Sequence, residues 1–156
     1  MIAAEVLTAA RARGWRIATA ESCTGGLVAA ALTDVPGSSD VFDRGFVTYS
    51  YPSKVAMLGV RQASLDAHGA VSDEVAREMA RGALAASQAD VAVAITGVAG
   101  PGASGAKPEG RVHFALATHD GIRSEKVEFG APGRDAVRAA ARDHALALLF
   151  DALTRG

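Results

Sequence analysis

The chain has 156 residues, 49% of them hydrophobic, with 16 basic and 17 acidic side chains. That length fits one domain, residues 1–156, around one core, and the nearly cancelling charge excludes a general field favouring nucleic acid or an anionic membrane. A single cysteine, Cys23, excludes an internal disulfide and a cysteine-based zinc cluster, and no apolar run has the length of a membrane span.

Ile2, Val6, Leu7 and Ala10 recur at helical spacing, so Met1 to Gly14 reads as an amphipathic helix with Gly14 as its stop. This start carries Glu5 and lacks the basic opening and apolar stretch of a signal peptide, which makes the cytoplasm the default location. Trp15 to Ala20 reads as a buried strand and Thr24 to Thr33 as a second helix. Asp34 to Ser39 is a loop by its turn chemistry, and Phe46 to Ser50 is a second strand. Pro52 suits the first turn of a short helix carrying Lys54, Val55 and Leu58.

His68 to Val71 is a connector, after which Ser72 reads as an N-cap with Asp73 and Glu74 favourable to the helix dipole. The helix it opens buries Val75, Met79 and Ala83 and ends near Gln88. Val91 to Thr96 alternates small and β-branched residues and reads as a central strand. Gly97 to Gly110 is a loop with five glycines and two prolines. Arg111 to Thr118 and Ile122 to Phe129 form a hairpin through His119-Asp120-Gly121. Pro132 opens the last helix, which presents Val137, Ala141, Leu148 and Ala152. Strands separated by helices favour a parallel sheet, and the hairpin forces an antiparallel neighbour. The expected fold is α/β: a three-layer α/β/α sandwich with a mixed, mostly parallel five-stranded sheet.

Two contexts carry chemistry. The first is Thr19-Ala20-Glu21-Ser22-Cys23-Thr24-Gly25-Gly26, between an apolar run and a helix; the second is Gly45-Phe46-Val47-Thr48-Tyr49-Ser50, with Lys54 just beyond. Serine attacks only when a base takes its proton, and a desolvated neutral lysine is such a base. Free N–H groups at a strand-to-helix turn stabilise an oxyanion. Acyl transfer, most simply hydrolysis of an amide or ester, is the chemistry this pairing points to. Each residue also has a plainer reading. Ser22 or Thr24 serves as a helix cap, Cys23 as a small buried hydrophobe or a rival nucleophile, Lys54 as a solvated helix residue and Tyr49 as a core aromatic. His68 and His113 read as structural. The loop from Thr96 and Gly97 to Gly102 wraps a phosphate with its N–H groups or is a flexible crossover. Arg134 stands at a helix start, where cation and dipole disagree, so it either helps bind an anion or is solvated.

Together with His68-Gly69-Ala70-Val71-Ser72, Thr96-Gly97-Val98-Ala99-Gly100-Pro101 and Gly133-Arg134-Asp135-Ala136-Val137-Arg138, these stretches resemble, in order and over nearly the whole chain, the CinA C-terminal domain family. Its stand-alone members include nicotinamide mononucleotide amidases. The resemblance implies hydrolysis of the carboxamide of nicotinamide mononucleotide to nicotinate mononucleotide and ammonia, by a serine–lysine mechanism with no metal and no organic cofactor. It implies Ser22 as nucleophile, Lys54 as base and Tyr49 as proton relay or orienter of Lys54. Thr96 and Arg134 match positions that line the site, and Thr24, Gly25, Gly26 and Gly97 join them as expected substrate contacts. The implied partner is a small nucleotide, with no nucleic acid and no membrane, and with a homo-oligomer left open. Where members read Lys-Pro-x-Gly-Thr-Val with an apolar x, this chain has Lys107-Pro108-Glu109-Gly110-Arg111-Val112, so Glu109 and Arg111 either alter the pocket rim or form a surface pair. The alternative is a non-catalytic nucleotide-binding module of a competence or damage response.

Overall fold

The computed structural model describes residues 2–155; Met1, at the start of the expected first helix, lies outside them. The elements are α1 (Ile2–Arg13), β1 (Ile17–Glu21), α2 (Leu27–Thr33), a 3-10 turn (Ser38–Asp40), β2 (Phe42–Val47), α3 (Tyr51–Leu58), α4 (Gln62–His68), α5 (Asp73–Ala85), β3 (Val91–Gly97), β4 (Arg111–Thr118), β5 (Gly121–Glu128) and α6 (Arg134–Thr154). The strands form one sheet in the order β2-β1-β3-β4-β5. β1 pairs in parallel with β2 and β3, whereas β4 is antiparallel to both β3 and β5. Four of the five strands therefore share one direction, and β4 alone opposes it.

The alternation in β3 separates two different layers. Val91, Val93 and Ile95 join Ile17, Val112, Phe114 and Leu116 on one face, against α1, α2 and α6. The opposite face is almost all alanine: Ala18, Ala20, Ala92, Ala94, Ala115 and Ala117. Small side chains let α5 approach the sheet closely, and its Val75, Met79 and Ala83 fill that face as the sequence pattern predicts. Ser72 caps α5, its hydroxyl accepting the Val75 N–H at 3.3 Å.

Several boundaries differ from expectation. Residues Thr24 to Gly26 form a turn and α2 starts only at Leu27, because Gly25 and Gly26 take positive φ of 58° and 109°. Thr48 to Ser50 leave the sheet, since the Ser50 hydroxyl caps α3 by accepting the Ser53 N–H at 3.2 Å. The helix α4 has no side-chain cap of its own. Glu78 on α5 supplies one, its carboxylate accepting the Arg61 N–H at 2.8 Å and the Ser64 hydroxyl at 2.5 Å, which is why the local pattern did not reveal this helix. Along α6 the buried stripe runs through Ala145, Leu149 and Leu153, with Leu148 and Ala152 at its margin. Among the described residues no helix is long and apolar enough to cross a membrane.

Gly82 marks the tightest crossing of α3 and α5: a Cβ there would lie 1.9 Å from the Leu58 carbonyl oxygen. Helix propensity alone makes Gly→Ala in a helix favourable by about 1 kcal/mol. The backbone clash reverses the sign, and Gly82→Ala is expected to destabilise by about 1–3 kcal/mol in urea unfolding. A stabilised variant would refute this packing.

Candidate active site

The strands β1, β2 and β3 run in parallel, and the chain leaves β1 for β2 on one side before returning to β3 on the other. A crevice opens at such a switch, beyond the carboxyl ends of the strands. Ser22 directly follows β1, Thr48 and Tyr49 follow β2, and Thr96 and Gly97 end β3. The resulting cleft has a volume of about 180 Å³. Ser22, Lys54, Tyr49, Thr96, Gly97 and Arg134, all named from the sequence, line it, and Cys23 and Ala70 join them.

Lys54 is fully buried. Its Nζ lies 2.9 Å from Ser22 Oγ and donates to the carbonyl oxygens of Thr48 at 2.7 Å and Tyr49 at 3.3 Å. A carbonyl only accepts, so these two contacts take two N–H bonds. A neutral amine has two N–H bonds and one lone pair. With both bonds directed to Thr48 and Tyr49, the lone pair is left for the Ser22 hydroxyl proton. Burial favours that neutral form and lowers the Lys54 pKa to about 8. Neither plain reading of the pair holds: Lys54 is not solvated, and Ser22 does not cap α2.

The cap of α2 is Glu21, which the sequence reading left without a role. Its buried carboxylate accepts the N–H groups of Gly26 at 3.2 Å, Val28 at 3.0 Å and Ala29 at 3.0 Å. The positive end of the helix is thus occupied by an internal anion. This explains why Thr24, Gly25 and Gly26, expected to contact substrate, stand outside the residues that line the cleft. Thr24 is fully buried. An acidic residue ahead of a glycine pair was the available signal, but a carboxylate reaching seven and eight residues forward is not a local capping pattern.

Cys23 is buried within the core, and burial pushes its thiol up to about 11, far from the reactive thiolate. The Thr96 hydroxyl donates to the Ala70 carbonyl at 2.9 Å and so braces one cleft wall. His113, opposite Thr96 in the sheet, is buried, and desolvation lowers its pKa.

The rim is built differently. Tyr49 is 60% exposed, and its hydroxyl accepts from Arg134 Nη2 at 2.9 Å, while Nη1 donates to the Gly100 carbonyl at 2.6 Å. The Tyr49 side chain therefore faces Arg134, and only its backbone carbonyl touches Lys54. Glu109 and Arg111 do not pair with each other. Glu109 accepts the Gly102 N–H at 2.7 Å and packs on Gly100, whereas Arg111 binds Glu128 at 2.6 Å. Glu109 thus braces the loop whose carbonyl holds Arg134. Among the described residues no three His, Cys, Asp or Glu side chains gather in a metal-binding group.

The chain is similar to known proteins over nearly its full length. It is 52% identical over 147 residues to the nicotinamide-nucleotide amidohydrolase PncC of Escherichia coli strain K12, covering 94% of this chain and 89% of that protein. It is also 52% identical over 146 residues to a putative competence-damage inducible protein of Symbiobacterium thermophilum, of which it spans 34%. The crystal structure of the competence/damage inducible protein CihA from Agrobacterium tumefaciens superposes with a TM-score of 0.94 at 46% identity, over 99% of this chain and 94% of that one. The family profile described as the CinA C-terminal domain matches residues 1–153. With the fold, the cleft and this match in agreement, the chain belongs to the CinA C-terminal domain family.

Proposed function

We propose that this protein hydrolyses the carboxamide of nicotinamide mononucleotide, giving nicotinate mononucleotide and ammonia. The observation that carries the reading is the buried Lys54 amine 2.9 Å from Ser22 Oγ, in a chain 52% identical to a nicotinamide-nucleotide amidohydrolase. A purely nucleotide-binding module gives no reason to bury an amine against a serine, which costs stability wherever the amine would otherwise be charged.

The steps follow from the donors. Ser22 Oγ bonds to the carboxamide carbon as its proton passes to Lys54 Nζ, and the carbonyl oxygen takes up the electron pair. The intermediate collapses, the C–N bond breaks, and Lys54 returns the proton to the departing nitrogen, which leaves as ammonia. Water then bonds to the ester carbon as Lys54 takes its proton, and the proton goes back to Ser22 Oγ as that bond breaks. Arg134 is the cation at the rim, and we assign it to the phosphate or the adjacent ribose, where it exchanges its Tyr49 and Gly100 partners for the ligand. Tyr49 acts through its carbonyl on Lys54 and through its hydroxyl on Arg134. The cytoplasm is the proposed compartment, since charge keeps a phosphorylated nucleotide from crossing a membrane.

Ammonia release from nicotinamide mononucleotide by the purified chain tests the activity. Ser22→Ala is expected to lower kcat by about 10³-fold or more. Cys23→Ala, which deletes the thiol and keeps the backbone, should lose far less; the reverse ranking would move the nucleophile to Cys23. Because Lys54 acts as the neutral amine and loses its proton near pH 8, kcat/KM should rise with pH through that value and level off above it. Lys54→Arg should not restore activity, since guanidinium keeps its proton. A flat profile, or an active Lys54→Arg, would remove the lysine base. Arg134→Ala should cost roughly 1.5–3 kcal/mol of transition-state binding with the mononucleotide, the range for a charged hydrogen bond. The loss should be much smaller with nicotinamide riboside, and equal losses on both would free Arg134 from phosphate.

A further inference from the structure

The turn behind the nucleophile is held by a side chain that the reaction above leaves unused. Arg138 lies one helical turn beyond Arg134 on α6 and is half-buried. Its Nε donates to the Cys23 carbonyl at 3.1 Å and its Nη2 to the Thr24 carbonyl at 3.3 Å. Two successive carbonyls turned toward one side repel each other, and a planar guanidinium between them offsets that repulsion with two directed bonds.

The N–H groups of the same turn are almost all committed. Ser22 N–H goes to the Ile95 carbonyl at 2.9 Å, Gly25 N–H to Ser22 at 3.0 Å and Leu27 N–H to Thr24 at 3.0 Å. Gly26, Val28 and Ala29 N–H go to Glu21. The N–H groups of Cys23 and Thr24, the two central residues of the turn from Ser22 to Gly25, have no backbone carbonyl as partner, the Cys23 N–H meeting only the weak acceptor of its own thiol. A trans peptide points its N–H opposite to its C=O. The Gly25 N–H pins the Ser22 carbonyl and so sets the Cys23 N–H; Arg138 sets the Thr24 N–H through the Cys23 carbonyl, and through the Thr24 carbonyl it holds the peptide whose Gly25 N–H makes that bond to Ser22. Thr24 is fully buried, whereas Cys23 lines the cleft beside Ser22.

We propose that Arg138 is a positioning residue that, with the Ser22–Gly25 turn, holds the Cys23 N–H as the oxyanion donor of the reaction. Cys23 is the residue after the nucleophile, so its N–H lies next to the carbon that Ser22 Oγ attacks and meets the oxygen on which charge develops. Arg138 touches neither substrate nor reacting atoms; it acts through the backbone. A lysine there carries the charge but not the fork, and does not align two carbonyls at once. The inference rests on the amidase reading above.

The test compares wild-type, Arg138→Met and Arg138→Lys on nicotinamide mononucleotide and on its thioamide counterpart, in which sulfur replaces the carboxamide oxygen. Arg138→Met keeps the apolar stem and is expected to lower kcat by about 10²-fold, the loss typical of one oxyanion donor, with KM little changed and the rise with pH retained. An N–H donor stabilises an oxygen anion better than a sulfur anion. The wild-type preference for oxygen over sulfur should therefore shrink in Arg138→Met, and Arg138→Lys should not restore it. If Arg138→Met melts below the assay temperature, Arg138→Lys gives the same ratio. An unchanged kcat, or equal losses on both substrates, would overturn the inference while leaving the amidase reading intact. A wild-type protein that releases no ammonia would overturn both.

Discussion

A buried amine sharing a proton with a serine is the constraint around which this molecule is arranged. An ammonium taken out of water is costly, and the chain meets that cost by lowering the pKa of Lys54 to about 8 and by giving its nitrogen the Thr48 and Tyr49 carbonyls and Ser22 Oγ. Those partners come from the ends of two strands, and Lys54 itself from the first turn of α3. They meet only because β1 and β2 are parallel neighbours that finish at the same level, with Glu21 opposite Val47 in the sheet. Ser50 then turns the chain into α3 and brings Lys54 back over the strand ends.

Charged side chains on two sides hold the turn that carries Ser22, the proposed nucleophile. Glu21 gathers N–H groups from beneath, at the start of α2, and Arg138 gathers carbonyls from α6. The helix end that would otherwise attract an external anion is closed by an internal one, so the anion recognition proposed above falls to the rim. There Arg134, Tyr49 and the Gly100 loop are exposed and joined by exchangeable bonds. The cleft thus joins a buried base, which holds the proposed chemistry, to an exposed edge, which holds the proposed recognition. One helix serves both, since Arg134 and Arg138 are a turn apart on α6.

The two unlike faces of the sheet serve the same end. Bulky residues on one face carry most of the core with α1, α2 and α6. The alanine face lets α5 settle close, with its cap Ser72 just after Ala70, whose carbonyl takes the Thr96 hydroxyl. Close packing there fixes the part of the cleft wall formed by Ala70 and Thr96.

The sequence by itself determined the elements whose signals are local. Period-two alternation marked β3, Ser72 with Asp73 and Glu74 marked the start of α5, and His119-Asp120-Gly121 marked the hairpin. The unusual contexts of Ser22, Lys54, Thr96 and Arg134 were also legible, and these residues do share one cleft. Tertiary structure decided everything that depends on a partner distant in the chain. Glu21 caps α2 from inside the core, and Glu78 caps α4 from another helix. Arg138 reaches the turn across 115 residues of sequence, and Tyr49 turns its hydroxyl to Arg134 rather than to Lys54. The reason is physical: a capping or strand pattern is written in neighbouring residues, whereas a buried charge finds its partners only when the fold has removed the water.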